Sequence, residues 1–222
     1  MKNKLISIEE AVSKIKSGDR IMVGGFMNVG SPNNILEALS KTDVDDLTVI
    51  SNDTAFVGKG LGLLIENKQV SKLITSHIGT NRETGRQMIA GEIDVTLVPQ
   101  GTLIEQIRAG GFGLGGILTP TGVGTDVQEG KQVISIDGED YLVEKPIRAD
   151  IALIYANQAD KKGNLRYHGS TQNFNNMMAT AADYVIVDAE EIFEDTYFEQ
   201  DTVHVPSVFI NGIVEGGKYK NG

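Results

Sequence analysis

The sequence predicts an α/β fold: a mostly parallel, doubly wound sheet with glycine-rich loops and one β-hairpin. Three observations carry this. Short apolar runs alternate along the chain with segments of helical period, the pattern of a sheet wound with helices on both faces. Several of the runs end in Gly, Ser, Asn or Gln, and ligands of such sheets bind beyond the carboxyl ends of the strands. No linker, repeat or low-complexity tract divides the 222 residues, so a single domain over 1–222 is expected.

Taken in order, residues 8–16 read as a helix. Ala11, Val12 and Ile15 share a face, Ser7 is a cap, and Gly18 ends the segment. Residues 20–23 form a buried strand that runs into GGFMNVGSP. There Ser31 reads as a helix N-cap and Pro32 as the first helical residue, with Ile35, Leu36 and Leu39 as an apolar stripe. Strand, glycine loop and helix N-terminus in succession predict a cradle for an anion or polar ligand. Converging amides need bare backbone, and the helix dipole favours negative charge.

Strands follow at 47–51, 72–76 and 93–98, alternating with helices at 61–67 and 83–90. Thr102 reads as the cap of the helix LIEQIRAG, with Glu105 completing a capping box. The strand ends at Gly24–Gly30, Ser51-Asn52 and Gln100-Gly101 are expected to converge. QVISIDGEDYLVE reads as a hairpin turning at Asp137-Gly138. A central strand at 149–156, a turn at DKKGN, a helix over 174–182 and a strand over 184–191 complete the chain.

Composition excludes several classes. There are no cysteines, hence no disulfide, thiolate metal site or cysteine nucleophile. The formal charge of −10 argues against a nucleic-acid surface but not against an anionic ligand bound locally. The start, MKNKLISIEEAV, holds no apolar run suited to a signal peptide or membrane span, so a soluble cytoplasmic protein without membrane contact is expected. His77, His168 and His204 lie far apart without carboxylate spacing and read as structural or surface residues. The acidic run 188–195 reads as a solvated helix end, and no metal site is expected. Gly111-x-Gly113-x-x-Gly116 matches the dinucleotide fingerprint, but it follows a helix and runs into Ile117-Leu118-Thr119-Pro120, so nicotinamide binding is rejected.

GGFMNVGSP, PQGTLIEQIRAGGFG, TPTGVGT, LIYANQADKKGNLRY and FNNMMATAA resemble, in that order and over essentially the whole chain, the α (A) subunit of the family I CoA-transferases. These are the acetate, butyrate–acetoacetate and 3-oxoacid enzymes. One departure is visible: Ser17 stands where the family pattern usually has Asp or Asn.

The resemblance implies a ping-pong transfer. A glutamate attacks an acyl-CoA thioester, giving an acyl-glutamyl anhydride and CoA thiolate. The thiolate then attacks the glutamate carbonyl, leaving an enzyme–CoA thioester, and a second carboxylate reverses the sequence. The resemblance places that glutamate in a Ser-Glu-Asn-Gly motif of the β subunit. The motif is absent here, and Glu129-Gly130 and Glu215-Gly216 lack its flanks.

The resemblance therefore implies half an active site, completed by a β subunit in an α2β2 or higher heteromer. Its substrates would be acyl-CoA and short-chain carboxylates, with coenzyme A as substrate and no permanently bound cofactor. It assigns CoA binding to Gly24, Gly25, Phe26, Met27, Asn28, Val29 and Gly30, and an oxyanion or substrate donor to Gln100. Asn52 and Gly101 are expected at the substrate. The charge-free, glycine-rich 110–124 is expected to be buried, partly against the partner. Two other classes stay open: a sugar-phosphate isomerase of related fold, whose glycine loop would hold phosphate, and a non-catalytic acyl-CoA-binding subunit.

Overall fold

The computed structural model describes residues 4–217. Its elements begin with helix α1 (Ile8–Ser13), where Ser7 accepts a hydrogen bond from the Glu10 amide, as a cap should. Strand β1 (Arg20–Val23), helix α2 (Asn33–Leu39), strand β2 (Leu47–Asp53), helix α3 (Leu61–Glu66) and strand β3 (Val70–His77) follow. Next come α4 (Arg82–Ile89), β4 (Asp94–Leu97), α5 (Gln100–Gly111) and β5 (Ile117–Thr119). The chain closes with β6 (Val133–Ile136), β7 (Glu139–Glu144), β8 (Ala149–Asp160), β9 (Leu165–Arg166), α6 (Asn175–Met178), β10 (Ala182–Phe193) and β11 (Gly212–Glu215).

The main sheet runs β11-β10-β8-β1-β2-β3-β4, every neighbouring pair parallel, with β9 antiparallel on β8. Alternation along β1 shows why both faces are covered. Ile21 and Val23 join α1, α2 and α3 in one core, while Met22 joins α5 and α6 in the other. The strand order reverses between β1 and β8, so the chain leaving β1 opens onto the switch-point crevice.

The hairpin is found where expected: β6 and β7 pair antiparallel across Asp137 and Gly138, both at positive φ. With β5 they form a separate three-stranded sheet. It is tied to α5 through buried Glu144, which accepts from Gln106 Nε2 at 3.1 Å and pairs with Lys131 at 2.6 Å.

Several local expectations are corrected. α2 begins after Pro32 with no cap from Ser31. Its exposed amides are met instead from across the fold: Asp188 of β10 accepts from the Asn34 backbone at 2.9 Å and from its side chain. The acidic run is strand through Phe193 rather than helix end, with Asp188 buried, because pairing with β8 overrides local charge. α5 begins at Gln100. Thr102 lies inside it with a buried Oγ1 lacking a partner, and Glu105 pairs with Arg108, so there is no capping box. The helix expected over 174–182 is only the turn Asn175–Met178. The segment 110–124 is not buried within the chain: Phe112, Leu114 and Leu118 are exposed. The rejected fingerprint does sit between helix α5 and strand β5.

Candidate active site

The glycine loop after β1 closes into a small hairpin. Phe26 and Val29 exchange both backbone hydrogen bonds, at 3.1 and 2.9 Å, with Met27 and Asn28 in the left-handed region between them. Its amides are largely consumed by the protein. The Gly24 amide donates to Leu153 at 3.0 Å, Gly25 to Asn173 Oδ1 at 3.1 Å, and Met27 to Asp53 at 3.0 Å. The expected cradle of free, converging amides is therefore corrected. The glycines answer to crowding instead. A Cβ on Gly24 would fall 1.8 Å from Asn175 Oδ1, and one on Gly25, whose φ is +112°, would fall 2.0 Å from Ser31 Oγ.

A related turn recurs after β2, where Phe56 and Lys59 form the same kind of bridge, although no repeat is legible in the sequence. The two turns meet at Gly60, where a Cβ would stand 2.4 Å from Asn28 Oδ1.

The three polar strand ends come together. Phe26, Met27 and Val29, with Asn52 and Gln100, line one cavity of about 580 Å³, joined by Ile104, Ser170, Asn173 and Phe174. Gln100 Nε2 donates to Asn52 Oδ1 at 2.9 Å, and Ser76 Oγ donates to the same oxygen at 2.8 Å. Asn52 is 2% exposed and fixed, whereas Gln100 is exposed. A carboxamide carries two N–H donors, so the Gln100 side chain keeps one for a ligand. Gly101, next on the first turn of α5, is exposed but does not line the cavity. Gly24, Gly25 and Gly30 are buried beneath the turn, and Asn28 faces a neighbouring cavity with Asp188 and Tyr155. A larger groove of about 780 Å³ lies between α1, α2 and β11, away from these strand ends.

Asp53, which accepts from the Met27 amide of the hairpin, is buried. Burial pushes its carboxyl above the ordinary value, opposed by the Met27 and Ala55 amides and by His77. Among the described residues lining the cavity there is no carboxylate, and no group of three or more His, Asp or Glu is placed to hold a metal ion. His204 accepts from the Tyr167 amide at 2.9 Å and stacks on its ring, a structural role. Among the same residues no helix is long and apolar enough to cross a membrane.

Sequence reasoning missed Ser170, Asn173 and Phe174. Only Phe174 lies in FNNMMATAA, which reads there as helix core; Ser170 and Asn173 stand in the segment just before it, to which the sequence reading assigns no role.

Comparison with known proteins agrees with this architecture. The coenzyme A transferase family profile matches residues 5–216. Acetate CoA-transferase subunit alpha of Escherichia coli K12 is 54% identical over 96% of this chain and 97% of its own length. The acetoacetyl-CoA:acetate/butyrate CoA transferase alpha subunit of Clostridium acetobutylicum is 48% identical over 97% of this chain and 99% of its own. Among solved structures, the acyl-CoA transferase of E. coli O157:H7 in a thioester complex with CoA shares the fold. Its TM-score is 0.84 at 21% identity, over 96% of this chain and 47% of that one. A sheet opening at its switch point onto a glycine hairpin and a paired Asn–Gln amide belongs, in this chain, to a member of the coenzyme A transferase family.

Proposed function

We propose that this chain is the α half of a heteromeric enzyme that moves CoA between a short-chain acyl-CoA and a carboxylate of the acetate, butyrate or acetoacetate type. The observation that carries the reading is the cavity at the strand ends. It offers an amide donor on Gln100 and an apolar wall of Phe26, Met27 and Val29, without a carboxylate among its described lining residues. Such a site can hold an acyl chain and stabilise an oxyanion, but it needs its nucleophile from elsewhere. The relatives' designation as alpha subunits supports a β subunit as that source.

In this reading the partner's glutamate attacks the thioester carbonyl. The carbonyl oxygen, now negative, meets the second N–H of Gln100, while Asn52 holds that amide in place. Collapse expels the CoA thiolate, which returns to the glutamyl carbonyl and releases the carboxylate. Asn52 Nδ2 is the group left for a substrate oxygen, and CoA passes through as substrate. The isomerase reading fits less well, because a phosphate needs the loop amides that Leu153, Asn173 and Asp53 already hold.

The test is borohydride trapping of the complex with acyl-CoA, followed by mass spectrometry of both chains. Reduction is expected to mark a glutamate of the β chain and to leave this chain unmodified. A reduced or CoA-bearing glutamate found here, at Glu105 for instance, would overturn the half-site reading.

A further inference from the structure

The side chain of Asn173 reaches both strands of the glycine hairpin. Its Oδ1 accepts from the Gly25 amide at 3.1 Å and from its neighbour Phe174 at 2.6 Å. Its Nδ2 donates to the Val29 carbonyl at 3.1 Å and to the Ser170 and Thr171 carbonyls at 3.2 Å each. One carboxamide therefore bridges the residue entering the hairpin and the residue leaving it, and ties both to the loop before α6. Asn175, fully buried, repeats the tie one step further on, donating to the Gly30 carbonyl at 2.9 Å. The backbone at Asn173 is held at φ +21°, a conformation that L residues rarely adopt. Strain of this kind persists only where surrounding contacts over-determine it.

The hairpin these contacts hold is the wall that carries Phe26, Met27 and Val29 into the cavity opposite Gln100. Because the Gly24, Gly25, Phe26, Met27 and Val29 amides are occupied, the wall offers mainly side chains to a ligand. We propose that Asn173 is a positioning residue that clamps the glycine hairpin at the spacing from Gln100 where its apolar side chains grip the chain of the acyl-CoA. The proposal rests on the transfer reading above.

The experiment compares Asn173→Gly, Asn173→Asp and Asn176→Ala in the complex with the β subunit. Glycine removes the carboxamide while accepting the positive φ, so backbone strain is not added. Aspartate keeps the acceptor for Gly25 but turns an oxygen toward three carbonyls. Asn176, whose Oδ1 contacts only the next amide, Met177, is the control.

Amide hydrogen exchange over 23–31 is expected to speed up about tenfold or more in both Asn173 variants and to stay at the wild-type rate in the control. KM for acyl-CoA is expected to rise about tenfold while kcat changes less than about threefold, a split that loss of general stability does not produce. Wild-type exchange in Asn173→Gly, or a fall in kcat with KM unchanged, overturns the proposal. If Asn173→Gly does not fold, Asn173→Asp decides by the same two readouts. Exchange is independent of chemistry, so a wild-type complex that transfers no CoA defeats the transfer reading while the clamp is still decided.

Discussion

Gln100 lines the cavity, Gly25 lies buried beneath the hairpin that forms its wall, and the two respond to substitution differently. Gln100 is exposed, with one amide proton on buried Asn52, so its side chain can be removed without opening the core. Gln100→Ala is expected to lower kcat by about 10²-fold with little change in KM, because an oxyanion donor acts only as charge develops. Gln100→Glu should be worse, since a carboxylate would face the forming negative charge. Steady-state kinetics of the assembled complex checks both. Gly25→Val is a different kind of change. Its Cβ would stand 2.0 Å from Ser31 Oγ and 3.0 Å from the Ser31 backbone, at a φ of +112°. A loss of about 2 kcal/mol or more in denaturant unfolding is expected, together with weaker acyl-CoA binding.

At the scale of elements, the turn from β8 to β9 is organised by one buried carboxylate. Asp160 accepts from the Lys162 and Asn164 amides at 2.9 Å, from Asn164 Nδ2 at 2.8 Å and from Phe198 at 3.0 Å. Burial works against its ionisation, but the hydrogen bonds from Asn164, Phe198 and Lys162 outweigh it, and the carboxyl titrates below the ordinary aspartate value. A depressed folded-state value means stabilisation that is present above the unfolded-state value of about 3.9 and lost as pH falls through the folded one. Asp160→Ala is expected to cost about 3 kcal/mol at pH 7, since several amides lose their acceptor. The gap between variant and wild type should narrow in urea titrations taken at progressively lower pH.

For the whole molecule, the prediction concerns assembly. The stretch 110–124 carries seven glycines and no charge, and leaves Phe112, Leu114 and Leu118 exposed by 58, 44 and 44%. In a chain of net charge −10 this is an unusual face to leave to water. In the proposed heteromer this face is expected to meet the β subunit. Phe112→Asp is expected to weaken the complex about tenfold or more while leaving the melting temperature of the isolated chain within a few degrees. Size-exclusion chromatography with light scattering reads the outcome. A stable, fully active monomer would defeat the heteromer itself.

Much of this was legible in one dimension. The alternation of apolar runs, the stripe Ile35-Leu36-Leu39, the Ser7 cap and the Asp137-Gly138 turn depend on neighbours a few residues away, and the structure repeats them. That Gly24–Gly30, Asn52 and Gln100 stand at or just beyond strand ends is likewise local, and parallel pairing then gathers strand ends on one edge. What packing alone decided involves partners more than a hundred residues apart. Asp188, which reads as solvent-facing charge, becomes the buried acceptor at the start of α2, replacing Ser31. Asn173 and Asn175 reach back to a hairpin near the N-terminus: Asn173 takes the Gly25 amide that the sequence offered to an anion, and Asn175 donates to the Gly30 carbonyl. Local sequence sets which backbone groups are left unpaired and where glycine is permitted. Which distant side chain satisfies them is fixed only when the strand order brings β1, β8 and β10 side by side.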